Sequence, residues 1–296
     1  MKTKQVLVLL ILFLLALPSF AQTSDEATST QSKSFKVSRG GMLEVSVQAG
    51  DIRLNTWEKN EVYVKASEIE EDDIDNLEMS QVGNTVRVEF HSRWGSSPRF
   101  DISVPSQFNV DLQTSGGDIG INGGITGTLK GTTSGGDIKL GDVVGTADMN
   151  TSGGDIITSN IQGDLYLNTS GGDIRIGFVT GRADVNTSGG DISVEKVGKT
   201  LRARTSGGNV TIGDIGGEAT VSTSGGDIMV GRVSGGVSVG TAGGNISLRS
   251  ATGRVMAKTA GGDIQLDSIA GPVDAKTASG SIYAELIPSG KGRSRL

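Results

Sequence analysis

The sequence has no cysteine, one histidine and few rings: aromatic residues make up 4% of the 296 positions. Without cysteine there is no disulfide framework, no lipid-modified cysteine and no thiol nucleophile. A lone His91 leaves no histidine cluster for a metal and no second imidazole for acid–base relays. Proline is scarce at 5 residues, while glycine reaches 46, about twice its ordinary share. Long hydrophobic runs are absent after the first 17 residues, so no membrane span is expected beyond that point. Basic charge is short as well, with 27 Lys and Arg against 33 Asp and Glu. An acidic chain lacks the electrostatic footprint of a nucleic-acid binder.

The N-terminus reads as a secretory signal peptide over residues 1–21. Lys2 and Lys4 form its positive start, Val6 to Leu17 its apolar run of 12, and Ser19-Phe20-Ala21 its small-x-small cleavage site. Phe20-Ala21-Gln22 is also similar to cleavage sites of exported Bacteroidetes proteins. Removing Lys2 and Lys4 leaves 25 basic against 33 acidic residues, a formal charge of −8. The chain is therefore expected to be exported, to the periplasm, the outer surface or the medium, with no span once the signal is cleaved.

The glycines keep a strict register. Thr-Ser-Gly-Gly, or a near variant, starts at Thr114, Thr133, Thr151, Thr169, Thr187, Thr205, Thr223, Thr241, Thr259 and Thr277, at one interval of 19 residues and then intervals of 18. Within a unit, Ile174 and Ile176 alternate with polar neighbours, as do Ala183 and Val185. Period two marks a strand with one buried face, so each unit holds two short strands and two glycine-bearing corners. Neither strand buries a core alone, and the units must stack.

The expected fold is all-β: a repeat β-solenoid, similar to a parallel β-helix, with about 18 residues per coil and an N-terminal β-rich cap. The preference of parallel crossovers favours a right-handed coil. A left-handed hexapeptide helix would need an inward aliphatic every six positions, where Ile174 is followed by Thr180 and Asn186. The expected boundaries are a signal peptide at 1–21, a disordered Ser/Thr-rich leader at 22–34, the cap at 35–113, the repeats at 114–287 and a basic tail at 288–296. The tail either folds over the last coil or leaves it open, unless the sequence stops short. Residues 68–78, with seven acids, suit a short helix or an exposed loop.

The most tempting chemistry is the column Asp118, Asp137, Asp155, Asp173, Asp191, Asn209, Asp227, Asn245 and Asp263. Calcium-binding β-rolls place a six-residue loop before each strand, whereas here Asp follows Gly-Gly and leads directly into Ile, too few oxygens for six to eight ligands. A structural corner explains the column better: Gly-Gly supplying positive φ, and Asp or Asn accepting local N–H groups. The threonines suit stacked corner hydroxyls rather than the Thr-x-Thr rows of an ice-binding face. Eight consecutive 18-residue intervals leave no room for the long loops on which polysaccharide-cleaving β-helices carry their catalytic groups, so that enzymatic alternative is remote. Nothing in the sequence calls for a catalytic residue, a metal or a cofactor.

A signal peptide, then Val47-Gln48-Ala49-Gly50-Asp51-Ile52-Arg53-Leu54-Asn55-Thr56-Trp57, then Ser-Gly-Gly-Asp-Ile coils, together resemble a bacterial family of candidate adhesins, a domain of unknown function related to adhesin head domains with β-helix folds. The resemblance spans about residues 35 to 290 and implies an adhesin-like or scaffolding role in the cell envelope, or an accessory role binding another envelope protein. An envelope protein or a surface glycan is the implied partner. Since rings are rare along the repeats, a glycan would be met at Trp57 or Trp94.

Overall fold

The computed structural model describes residues 28–92 and 97–288; the expected signal peptide, Trp94 and all of the basic tail after Pro288 lie outside them. Each 18-residue unit makes one turn of a solenoid. Ile174–Val179 lies in one sheet and Ala183–Asn186 in the other. Each strand pairs in parallel with its equivalent one coil away, Ile174 with both Ile156 and Ile192, and Ala183 with both Leu165 and Leu201. Among the described residues the two sheets have 16 and 13 strands, and they stack about ten coils of 18 residues into an all-β rod.

Three positions of the first strand and two of the second point inward. Ile174, Ile176 and Val179 meet Ala183 and Val185, all at most 3% exposed. The third inward column, running from Ile125 through Ile161, Val179, Val197 and Ile215 to Ile269, breaks the simple alternation. The chain bends after Ile176, and Val179 turns back in. Each such aliphatic contributes about 1.5–3 kcal/mol when withdrawn from water, and the contribution exists only once a neighbouring coil covers it.

The sheets continue without a break into the N-terminal part. Its elements are β1 (Thr28–Lys36), β2 (Gly41–Val47), β3 (Asp51–Trp57), β4 (Glu61–Glu70), a 3-10 turn (Glu71–Asn76), β5 (Leu77–Val82), β6 (Thr85–Phe90), β7 (Arg99–Pro105), β8 (Phe108–Gln113) and β9 (Ile119–Asn122). β2 and β3 form a coil that pairs in parallel with β8 and β9 on one side. On the other side they pair in parallel with β6 and β7. The chain therefore lays down the second coil before the outermost one and then crosses back over it. Antiparallel strands finish the end: β4 then β1 beyond β7, and β5 beyond β6. Phe90 and Phe100 pack inside this end with ring centroids 6.0 Å apart, beside buried Phe108.

One expectation changes here, and the short helix expected in the acidic stretch is present. Residues 28–34, placed in a disordered leader, form most of β1, because eight register partners along β4 satisfy a backbone whose side chains are too polar to announce a strand. Residues 71–76 of the acidic stretch form the 3-10 turn, which buries Asp73 with Asn76 Nδ2 donating to its Oδ1 at 2.9 Å and Ser92 Oγ donating to its Oδ2 at 2.8 Å.

At the other end the last described strand, Ile282–Leu286, pairs with Ile264–Ile269 and leaves Tyr283 61% exposed.

Candidate functional site

The repeated polar residues meet at one corner. Each second glycine of the Gly-Gly pair lies against the coil below: a Cβ on Gly172 would stand 2.0 Å from the Gly154 carbonyl oxygen, and one on Gly190 the same distance from that of Gly172. Left-handed φ, expected from the sequence for this column, occurs only at Gly50 (φ 108°). The requirement is close approach between coils, with no room for a side chain. The first glycine of each pair is less confined, since a Cβ on Gly171 would meet the Gly153 oxygen at 3.3 Å, and the last unit carries Ser279 there.

The aspartates bond between coils rather than within a local turn. Asp155 Oδ1 accepts the N–H of Asp173 at 2.8 Å, and Asp173 Oδ1 accepts that of Asp191 at 2.9 Å. The ladder starts with Asp51 Oδ1, accepting from Asp118 at 3.0 Å, and runs on through Asp118, Asp137 and Asp155. Asp191 accepts from Asn209, Asn209 Oδ1 from Asp227, Asp227 from Asn245, and Asn245 Oδ1 from Asp263, at 2.7–2.9 Å. Asn serves the ladder as well as Asp because each coil-to-coil bond uses only one side-chain oxygen. Arg175 spans the second oxygens, its Nη2 2.8 Å from Asp173 Oδ2 and its Nη1 3.4 Å from Asp155 Oδ2. Among the described residues no group of three or more Asp, Glu or His could hold a metal ion.

The threonine hydroxyls do not stack on each other, as the sequence suggested. Thr187 Oγ1 donates to the Gly172 carbonyl of the preceding coil at 2.9 Å and accepts the Gly190 N–H at 3.3 Å. The column is buried from Thr114 to Thr259, Thr169 at 2% exposure, so it offers water or ice no hydroxyl row. These repeated groups are occupied in holding coil to coil.

What faces solvent differs from coil to coil. On the second sheet Asp148, Tyr166, Asp184, Arg202 and Thr220 stand in register. On the first, Asn160, Phe178, Lys196 and Asp214 do so, with Lys196 Nζ 5.4 Å from the centroid of Phe178. Arg232 continues that face and meets Asp214 Oδ2 at 2.8 Å. Its hydrogen bond holds the Asp214 carboxyl below the usual carboxylate range.

Trp57 closes the β3–β4 turn: its Nε1–H donates to the Glu61 carbonyl at 2.7 Å, Lys59 Nζ lies 4.5 Å from the ring, and Tyr63 is 6.5 Å away. One face of the indole is thus already occupied. Trp94, the other expected ligand contact, lies outside the described residues. Two recesses went unnoticed in the sequence because they join distant segments. A polar one of about 370 Å³ gathers Gln48, His91, Gln113, Ser115 and Ser134, while one of about 410 Å³ lies between β1 and β5.

A rod of stacked parallel coils, whose recurrent polar side chains bond one coil to the next, defines the class: a capped repeat β-solenoid. The Toastrack DUF4097 family model matches residues 36–196 and 180–291, and the chain belongs to that family. No curated protein matches the chain. Among solved structures, a candidate adhesin of Parabacteroides distasonis is 13% identical, with 86% of this chain and 97% of that one covered and a TM-score of 0.47. A candidate lipid-binding protein of the same species is 16% identical, covering 90% and 97% at a TM-score of 0.34. A candidate adhesin of Parabacteroides merdae is 14% identical, covering 88% and 96% at 0.34.

Proposed function

We propose that the chain is an exported, non-enzymatic scaffold or adhesin-like protein that presents a regular β-solenoid surface in the cell envelope. One observation carries this reading. The repeated polar residues, which on a catalytic β-helix would be the first suspects for chemistry, are committed to bonds between coils, as with Asp155, Asp173 and Thr187. The variable outward columns are what remains for recognition, at a strand spacing of about 4.8 Å. Export rests on the signal-like residues 1–21, and no helix among the described residues is long and apolar enough to cross a membrane.

Trp57 is the ring we assign to a glycan contact, through the face turned away from Lys59. A second reading, a periplasmic accessory protein that grips another envelope protein, draws on the recess between β1 and β5 at the capped end.

Protease treatment of intact cells, followed by blotting for the chain, separates the two. Digestion with a periplasmic control protein spared supports surface presentation. Protection until the outer membrane is opened contradicts it and favours the periplasmic reading.

A further inference from the structure

The basic side chains of this acidic protein gather on one stretch of the second sheet. From the strand Ala183–Asn186 to the strand Val273–Lys276, the outward positions and the residue before each strand carry Arg182, Arg202, Arg204, Arg254, Lys258 and Lys276. The acids there are Asp184, Glu218 and Asp274. Six cations against three acids give the stretch a charge of +3, while the whole chain carries −6. Nearer the cap the same face is acidic, with Asp111, Asp148 and Asp164 against Lys130. Lys276 meets Asp274 Oδ1 at 3.5 Å. The other five cations are exposed, and none of them is in an ion pair among the described residues.

The five stand in two groups. Arg182, Arg202 and Arg204 lie at the strand Leu201–Arg204, and Arg254 and Lys258 stand on either side of Met256, three strand steps along the rod. Three steps amount to about 14 Å at about 4.8 Å each. At the first group a recess of about 500 Å³ is lined by Arg182, Asp184, Arg202 and Glu218, with Thr200 and Thr220. Between the groups Thr220, Ser222 and Ser238 are half-buried, on strands already bonded along both edges.

These features select among anionic partners. With both strand edges taken, no peptide can add to this face through its main chain. Met256 is the one large exposed apolar side chain in the stretch, so a lipid surface finds little to hold. An acidic protein would set carboxylates against Asp184 and Glu218. A glycan chain bearing carboxylates answers every group: its acids meet the guanidiniums, and its hydroxyls donate to Asp184 and Glu218 and bond with the hydroxyls between. A single small anion would reach only one group of cations.

We propose that this face binds an acidic polysaccharide, lying along the rod from the recess at Arg182 and Arg202 to Arg254 and Lys258. The inference deepens the adhesin-like reading and rests on it, naming a ligand class and a site apart from Trp57.

Calorimetric titration of the full chain with alginate oligosaccharides, a polyuronate probe, tests it. The expected result is binding that weakens with salt, with dextran of equal length bound at least about tenfold more weakly. Arg204→Glu with Lys258→Glu reverses one cation in each group and weakens alginate binding about tenfold or more. Lys65→Glu with Arg249→Glu makes the same change of charge at exposed positions of the other sheet and leaves binding nearly unchanged. Melting temperatures show that each variant folds, and the comparison of alginate with dextran needs no variant. Absent alginate binding, dextran bound as well as alginate, or equal losses in the two double variants overturns the proposal. So does tighter binding of poly-glutamate or of phosphatidylglycerol vesicles than of alginate. None of these outcomes bears on protease access at the cell surface, so a failure here leaves the scaffold reading standing.

Discussion

Residue by residue, the corner motif divides into positions of unequal strictness. Gly172→Ala would put a methyl 2.0 Å from the Gly154 oxygen, where backbone must move, whereas Gly171→Ala meets an oxygen at 3.3 Å. The first is expected to lower stability by roughly 3 kcal/mol and the second by under about 1 kcal/mol, measured by chemical denaturation. Similar losses would show that the coils do not approach as closely as described. Thr158 is the opposite case. It occupies an inward position where neighbouring coils carry Leu140 and Ile176, and its hydroxyl is buried without a hydrogen-bond partner. Thr158→Val is expected to stabilise by about 1 kcal/mol. The identity of these corner residues was plain in the sequence, but their bonding was not. Asp173 finds its partner 18 residues on and Thr187 finds its own 15 residues back, while the same letters would equally serve a local turn. Nor did period two reveal Val179, because the bend after Ile176 changes which face each later residue occupies.

Among elements, the repeat strands and the β-rich character of the cap were legible, and the outermost strand β1 was not. Alternation in Ile174 and Ile176 is enforced by a buried face, whereas β1 is held by main-chain pairing and reads Thr-Ser-Thr-Gln-Ser-Lys-Ser-Phe-Lys. Exposed ion pairs add little to such strands, and Asp214–Arg232 illustrates this. The bond to Arg232 lowers the Asp214 pKa in the folded chain. Its stabilisation is therefore present above the ordinary carboxylate range and lost as pH falls through the folded value. Arg232→Ala is expected to raise the Asp214 pKa, read from its carboxyl carbon by NMR titration, with almost no change in melting temperature at neutral pH. An unchanged titration would remove the pair from the surface description.

For the whole molecule, stability is a sum of coils and their contacts, which makes register the controlling variable. Excising residues 187–204 removes one 18-residue unit and rejoins equivalent strands of the two sheets, Ala183–Asn186 running on to a corner like its own. That deletion is expected to leave a cooperative β-rich fold with a slightly lower melting temperature. Removing only residues 187–195 joins a second-sheet strand to the last two residues of a first-sheet strand and is expected to abolish cooperative melting. Equal tolerance of both would contradict a solenoid of 18-residue coils. The rod itself was readable from spacing alone. The outward surface was not, because its column changes chemistry from coil to coil and only stacking sets the neighbours, Tyr166 between Asp148 and Asp184, Arg202 between Asp184 and Thr220, and Met256 between Ser238 and Asp274.

The claim beneath the functional reading is that the Asp column joins coils and performs no chemistry of its own. Thermal melting of Asp173→Asn beside Asp173→Ala, each with and without added calcium, tests it most directly. The account predicts a near-native melting temperature for Asn, which keeps the oxygen that accepts the Asp191 N–H, a loss of about 1 kcal/mol for Ala, and no calcium effect on any form. Asn as damaging as Ala, or a calcium-dependent rise in wild type that Asn abolishes, would contradict it and make the carboxylate charge the point of the column.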